Sequence, residues 1–272
     1  GDGESIRPVP GLTATLNGAG RFDGATGLFT LTPALANRVG SAMLDEPIDL
    51  DRDFTIVVDL NLGTSDAGAD GMTLLLHNDP DGADALGLAG STGATSIANG
   101  VAVDLDTYDN GATAGDIAAD HTNIFDTDGG FTTAPFALAN LEDGQPHRVA
   151  LTWDASAARL AYSIDGADAG VLDGDIAATY IGSRFAYFGV TAGTGGAVNP
   201  HQARFVAIDA TLADGRTVDW AAEAPSAPFD LVWSSSAART APRDLQDARL
   251  VGDVYVFLDD GGNTGIQSVA FY

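Results

Sequence analysis

Residues 99–124 read NGVAVDLDTYDNGATAGDIAADHTNI, and the first eight of them govern how the rest of the chain is read. Apolar and polar side chains alternate, so that Val101, Val103 and Leu105 share one face of an extended segment while Asp104 and Asp106 share the other. Side chains two apart in a strand stand side by side, so these carboxylates repel each other unless a cation sits among them. Beyond the strand come Tyr108 with its backbone carbonyl, Asn110 with its side-chain oxygen, Asp116, and then His121. A set dominated by oxygen with one imidazole suits a hard cation such as Ca²⁺ beside an ion that accepts nitrogen, such as Mn²⁺.

The same period of two recurs outward from this stretch. In DFTIVVDLNLG, Phe54, Ile56, Val58, Leu60 and Leu62 alternate with Thr55, Asp59 and Asn61, the pattern of a half-buried strand. HRVALTWD carries Val149, Leu151 and Trp153 on one face, RLAYSIDG carries Leu160, Tyr162 and Ile164, and the DASAA link between them predicts a hairpin. Further strands are expected at GLFTLTP, DGMTLLLHN, RFAYFGVTA and QARFVAIDATL, separated by segments rich in Gly, Asp, Asn, Ser and Thr. No long amphipathic helix and no alternation of strand with helix are present, so the expected fold is all-β, a two-sheet antiparallel sandwich. The pattern thins at DWAAEAPSAPFD, which places a domain boundary near residues 221 to 228. This gives a sandwich over residues 1–222 and a β-rich extension over 223–272, either packed on the sandwich or the start of an immunoglobulin-like module.

Composition bounds the function. The 272 residues carry 38 acidic side chains against 12 basic ones, all of them arginine, for a net charge of -26. Nucleic acid is excluded as a partner, because phosphate binding needs clustered cations to displace counterions, and anionic membranes are excluded for the same reason. A solvated, self-repelling carboxylate shell suits a saline, Ca²⁺-rich setting, so an extracellular or cell-surface location is expected. No cysteine is available for disulfides, thiol catalysis or zinc ligation. No run of about 20 apolar residues predicts membrane insertion. The opening GDGESIRPVP lacks the pattern of a secretory signal, so an exported form is expected to be a processed chain or a piece of a longer protein.

The run VAVDLDTYDN followed by DIAADH resembles the metal-binding hallmark of the L-type lectins, the legume seed lectins and their bacterial and animal relatives. LNGAGRFDGATGLFTLTPALANRVGSAMLDEPIDL resembles that family's N-terminal strands, ADGMTLLLHNDPDGADALG its A-D-G segment, and YFGVTAGTGGAVNPHQARF its glycine-bearing fourth binding loop. The blocks follow family order over about three quarters of the chain, and the resemblance is to a bacterial-type member. It implies a concanavalin A-like jelly roll and a Ca²⁺-dependent site for glycans or glycoconjugates, serving adhesion or glycan recognition.

Residue by residue, the resemblance implies that Asp106 and Asp116 bridge two metals. Asp104, where legume members usually carry Glu, and His121 would complete the transition-metal side, while the Tyr108 carbonyl and the Asn110 side chain complete the Ca²⁺ side. The second ion is Mn²⁺ or another Ca²⁺. For the sugar, Asp70 is the implied acceptor, preceded by a cis peptide from Ala69. Asn110 donates through its amide, Tyr108 offers its ring, and backbone N–H groups at Gly196, Ala197 and near Gly90 add donors. Relatives often pair through the sheet opposite the binding face, so a homodimer is a further expectation, opposed at low salt by the negative charge.

Two other functions fit parts of this pattern. Glycoside hydrolases share the sandwich, but their E-x-D-x-x-E strand is matched here only by Asp104, Asp106 and Asp109, with no glutamate between residues 47 and 141. No enzyme is therefore expected. A Ca²⁺-stiffened adhesin segment with no sugar site is the remaining alternative. His77, His147 and His201 match no metal or catalytic pattern and are expected to be structural, as is Trp153.

Overall fold

The computed structural model describes residues 3–111 and 116–222, together with the backbone of three further strands, Ala248–Val251, Val254–Asp259 and Ser268–Ala270. The chain divides into two compact units, Gly1–Leu231 and Val232–Tyr272. In the second, the three strands form an antiparallel sheet. The boundary expected near 221 to 228 lies, past residue 222, outside the described residues.

The first unit is a sandwich of two antiparallel sheets, which is the expected jelly roll. One sheet runs in the order Glu4–Val9, Leu12–Gly18, Val39–Leu44, Phe185–Gly193, Gly71–His77, Gly100–Asp106, His121–Asp126 and Phe136–Ala137. The other runs Ala167–Asp173, Arg159–Ile164, His147–Asp154, Phe54–Asn61, His201–Thr211, Leu28–Thr32 and Arg21–Asp23. Cross-strand partners such as Val58 with Val149 and Phe205, and Ile56 with Leu151 and Ile208, set rows of apolar side chains facing the opposite sheet. There they meet Leu74, Leu76, Val101, Val103 and Leu105 in one continuous core. Trp153 belongs to that core and spends its indole N–H on the Leu50 carbonyl at 2.8 Å. Among the described residues, no helix is long and apolar enough to cross a membrane.

Asp59, on the polar side of its strand, is buried. Arg148 and Arg204 are its register partners on the two neighbouring strands, and both pair with its carboxylate, which supplies the partners that burial demands. The other face of the first sheet is also partly covered. Ala102 and Leu75 pack there with Met43, Ala85, Ala94 and Ile97 in a small second core beneath the segment connecting His77 to Gly100. That segment reaches Asp104 through Thr92 and leaves the less buried Asp106, at the end of the strand, for a site.

His77 and His201 are fully buried, which agrees with a structural role. Loss of solvation pushes their pKa down to about 4 and about 3. An unfolded chain titrates these groups near 6.5, so between that pH and the folded values the unfolded state binds the extra protons. Stability is therefore lost as pH falls below about 6.5, by up to about 1.4 kcal/mol per pH unit for each histidine. On going from pH 7 to pH 5 in urea titrations, His201→Gln is expected to lose about 2 kcal/mol less than the parent. Equal losses in the two proteins would show that His201 is not held neutral.

Candidate functional site

Three neighbouring strands deliver the acidic cluster. The Gly100–Asp106 strand pairs with Gly71–His77 on one side and His121–Asp126 on the other. His121 faces Asp106 across the ladder, Asn123 faces Asp104, and Thr73 faces Asp104 from the other side. Register alone thus gathers Asp104, Asp106, His121, Asn123 and Thr73 on one surface of the sheet. Asp116 closes the group from the loop. The ligand atoms of Asp106, Asp116 and His121 lie within 4.8 Å of one another, with His121 Nε2 3.8 Å from Asp116 Oδ1.

The loop is folded onto these carboxylates by its own backbone. Tyr108 N–H donates to Asp106 Oδ1 at 2.8 Å and Asn110 N–H donates to Asp116 Oδ2 at 2.9 Å. The Asn110 side-chain amide donates to the Tyr108 carbonyl at 3.2 Å, so the two residues expected on the Ca²⁺ side are in contact through the Asn110 nitrogen. In this conformation the Asn110 nitrogen expected to reach a sugar is spent within the loop. The Tyr108 ring is 40% exposed, enough to be reached by a ligand.

The electrostatics of the cluster are unfavourable for bare carboxylates. Burial, then Asp104, Asp116 and Asp70, push the Asp106 carboxyl up; burial does the same to Asp104, offset in part by hydrogen bonds from Thr92 and Thr73 and by His121. Two side-chain atoms on this surface, His121 Nε2 and Asn123 Oδ1, are buried without a hydrogen-bond partner. A divalent cation would answer both features, by neutralising crowded carboxylates and accepting an orphaned imidazole nitrogen, so the residues fit the implied metal. Asn123 went unnoticed in the sequence, although period two counted from His121 places it on the same face.

Asp70 lies beside this cluster. Its peptide bond with Ala69 is cis, as the resemblance implied. Its N–H donates to the Gly193 carbonyl and its own carbonyl accepts the Thr107 N–H, so the residue is pinned between the fourth loop and the end of the acidic strand. Gly71, at φ 137, lets that strand approach: a side chain there would collide with the Leu105 carbonyl. The Asp70 carboxyl is 6% exposed, its Oδ2 has no partner, and burial pushes its pKa up to about 6. A methyl group on Gly195 would lie 3.4 Å from that oxygen and 3.6 Å from the Gly90 Cα, so Asp70, Gly90 and Gly195 converge.

Of the backbone donors expected near Gly90, the N–H of Gly90 itself is taken. It is given to the Thr194 carbonyl at 3.1 Å, because the two loops close on each other at this point. Gly90 contributes an open wall, while the N–H groups of Gly196 and Ala197 have no acceptor among the described residues.

A second network was invisible in the sequence. Asn199 and Glu142, each 2% exposed, are joined by a hydrogen bond from Asn199 Nδ2 to Glu142 Oε1. Asn199 also donates to the Ser65 carbonyl at 3.0 Å and accepts the Ser65 N–H at 3.3 Å. It packs so closely on Gly68 that a side chain there would collide with it. The segment leading into Asp70 is therefore clamped by residues far away in the chain, and no local pattern could have revealed the clamp.

Comparison with known proteins agrees with this arrangement. The model of the legume lectin beta-barrel domain matches residues 12–207. The chain is 31% identical over 109 residues to the pesticidal crystal protein Cry22Aa of Bacillus thuringiensis, covering 39% of this chain and 14% of the length of that curated relative. Among solved structures, the chain is similar to the lectin of Bauhinia forficata in complex with GalNAc, with 19% identity, a TM-score of 0.54, and coverage of 71% of this chain and 89% of that one. It is also similar to the exoplasmic/lumenal domain of VIP36 in its Ca²⁺/Man3GlcNAc-bound form, with 20% identity, a TM-score of 0.54, and coverage of 70% and 80%. At such identities these likenesses establish the fold alone.

Proposed function

Because the chain belongs to the legume lectin beta-barrel domain family, a family of carbohydrate binders rather than enzymes, we infer that its first unit binds a glycan in a Ca²⁺-dependent manner at the pocket around Asp70. The observation that carries this reading is the buried Asp70 carboxylate, with one oxygen unpartnered beside the open glycine loops. A buried acceptor without a partner is costly, and sugar hydroxyls are donors of the right kind to complete it. Gly196 and Ala197 would donate their free N–H groups to other hydroxyls, and the exposed Tyr108 ring would cover the apolar face of the sugar.

Asp104, Asp106, Asp116 and His121, with the Tyr108 carbonyl and Asn110 side chain, are the residues that would hold the ions. When bound, Ca²⁺ and a second divalent ion, Mn²⁺ or Ca²⁺, supply positive charge that lets these carboxylates stay ionised at close quarters. The chain's own contribution is to fix the loop: Tyr108 and Asn110 are tied to Asp106 and Asp116, and Thr107 is tied to Asp70, so ordering the loop orders the pocket. On this reading residues 1–222 are the binding domain and 223–272 a β-rich extension within a larger secreted or surface protein engaged in adhesion or glycan recognition.

A printed glycan array probed in Ca²⁺, then in EDTA, tests the proposal. Binding of at least one glycan class is expected in Ca²⁺, with a loss of about 100-fold or more in chelator. Undiminished binding in EDTA would refute the metal dependence. Thermal stabilisation by Ca²⁺ without binding to any glycan would instead support a stiffened structural segment.

A further inference from the structure

The segment between Thr32 and Val39 is latched onto the loop that forms one wall of the Asp70 pocket. Asn37 N–H donates to the Gly195 carbonyl at 2.9 Å and Arg38 N–H donates to Thr194 Oγ1 at 2.9 Å. Thr194 Oγ1 in turn donates to the Leu35 carbonyl at 2.7 Å. Gly195 is also the residue whose α-carbon faces the Asp70 carboxylate. A recess of about 570 Å³ framed by this segment is joined to the pocket wall through Asn37, which lines the recess and is bonded to Gly195.

The chemistry of the recess runs against that of the rest of the molecule. In a chain with 38 acidic and 12 basic residues, its lining holds Arg21 and Arg38 and no carboxylate. Arg148, Arg159, Arg184, Arg204 and Arg216 all sit in ion pairs. Among the described residues, Arg7, Arg21, Arg38 and Arg52 have none, and Arg21 and Arg38 are the two that line this recess; the only side-chain bonds of Arg21 run to the Ala19 and Gly20 carbonyls. Pro33 and Leu35, the latter 54% exposed, add an apolar surface, and Thr30 and Asn37 complete a lining with neutral hydrogen-bonding groups. Two guanidinium groups left without carboxylates beside an apolar wall suit a planar or tetrahedral oxyanion carried on a ring with C–H faces.

We propose that this recess is a second subsite, which receives the carboxylate or sulfate of a sugar unit adjoining the one held at Asp70, so that the ligand class is an anionic oligosaccharide. The proposal rests on the reading of the Asp70 pocket as a sugar site. The overall charge of -26 is spread over the chain, and at physiological salt charges more than about 8 Å away are largely screened; Asp23, on the same strand face as Arg21, lies nearer and accepts the Ala25 N–H and the Thr26 hydroxyl.

The test is an array in Ca²⁺ that carries each oligosaccharide core in a neutral, a sulfated and a uronate-bearing form, probed with the parent and with Arg21→Ala/Arg38→Ala. Both arginines are exposed, so the double variant is expected to fold, which circular dichroism checks. The parent should bind the anionic form of a core about tenfold more tightly than its neutral form, the scale of one charge-assisted pair. The double variant should bind both forms about equally, with affinity for the neutral core unchanged. A preference for only the sulfated or only the uronate form would identify the oxyanion. Equal binding of neutral and anionic forms by the parent, or a preference unchanged in the variant, would overturn the subsite and leave the sugar site standing. Failure of the parent to bind any core would overturn the sugar site itself, and the subsite with it.

Discussion

Replacing Asp106 with Asn is expected to stabilise the protein in EDTA and to abolish its thermal response to Ca²⁺. The two effects have opposite signs and one origin. Asp106 is desolvated and stands close to Asp104, Asp116 and Asp70, all of which disfavour its charge. An amide of the same shape removes the repulsion while still accepting the Tyr108 N–H through its oxygen. The gain in chelator should be about 1 kcal/mol, which corresponds to about 2–4 °C for a domain of this size. The parent, at Ca²⁺ concentrations about 100 times the dissociation constant, should gain about 2.7 kcal/mol by mass action, whereas the variant should gain almost nothing. Differential scanning fluorimetry of both proteins across a Ca²⁺ series reads the two effects at once. A variant that keeps the parent's shift would remove Asp106 from the ligand set, and a variant less stable than the parent in EDTA would show that the carboxylate is not frustrated.

Asp70→Asn should leave the Ca²⁺ response intact and destroy glycan binding. The hydrogen bond that ties Asp70 to the metal loop runs through its backbone, from Thr107 N–H to its carbonyl, and the substitution preserves it while easing the repulsion that the Asp70 carboxylate exerts on Asp106. What changes is the side-chain face turned to the ligand: an anionic acceptor with an unpartnered oxygen becomes an amide that presents a donor. Losing charge-assisted bonds from sugar hydroxyls and confronting them with N–H groups should cost about 100-fold or more in affinity. Calorimetry with the best glycan from the array, alongside the fluorimetric Ca²⁺ series, separates this outcome from unfolding. Retained glycan affinity would place the sugar elsewhere on the protein. Joint loss of glycan and Ca²⁺ responses would mean that Asp70 supports the metal loop rather than the ligand.

The two variants divide the site into a part readable from the chain and a part that is not. Alternation around Val101, Val103 and Leu105 was enough to set Asp104 and Asp106 on one face, and the same periodicity marked the strands carrying Ile56, Leu151 and Trp153. Loop order then suggested Tyr108, Asn110, Asp116 and His121, which the structure gathers around Asp106. Where the reading fell short, the cause was a contact made at a distance. Asp59 stands on the polar side of a strand whose alternation predicts half-burial, and only the neighbouring strands reveal the arginines that accompany its burial. A donor is expected near Gly90, and nothing in the sequence shows that Thr194 takes the N–H of Gly90 itself.

By itself, the sequence determined the all-β sandwich, the acidic face and the candidate residues, because strand periodicity and side-chain type are local properties written in every short segment. Only the tertiary structure decided which of those residues meet, which donors are already spent, and what clamps the pocket. Register between strands and closure between loops join positions such as Glu142 and Asn199, or Leu35 and Thr194, that are 57 and 159 residues apart. Such pairings are selected by the packing of the whole sandwich, and no window along the chain contains both partners.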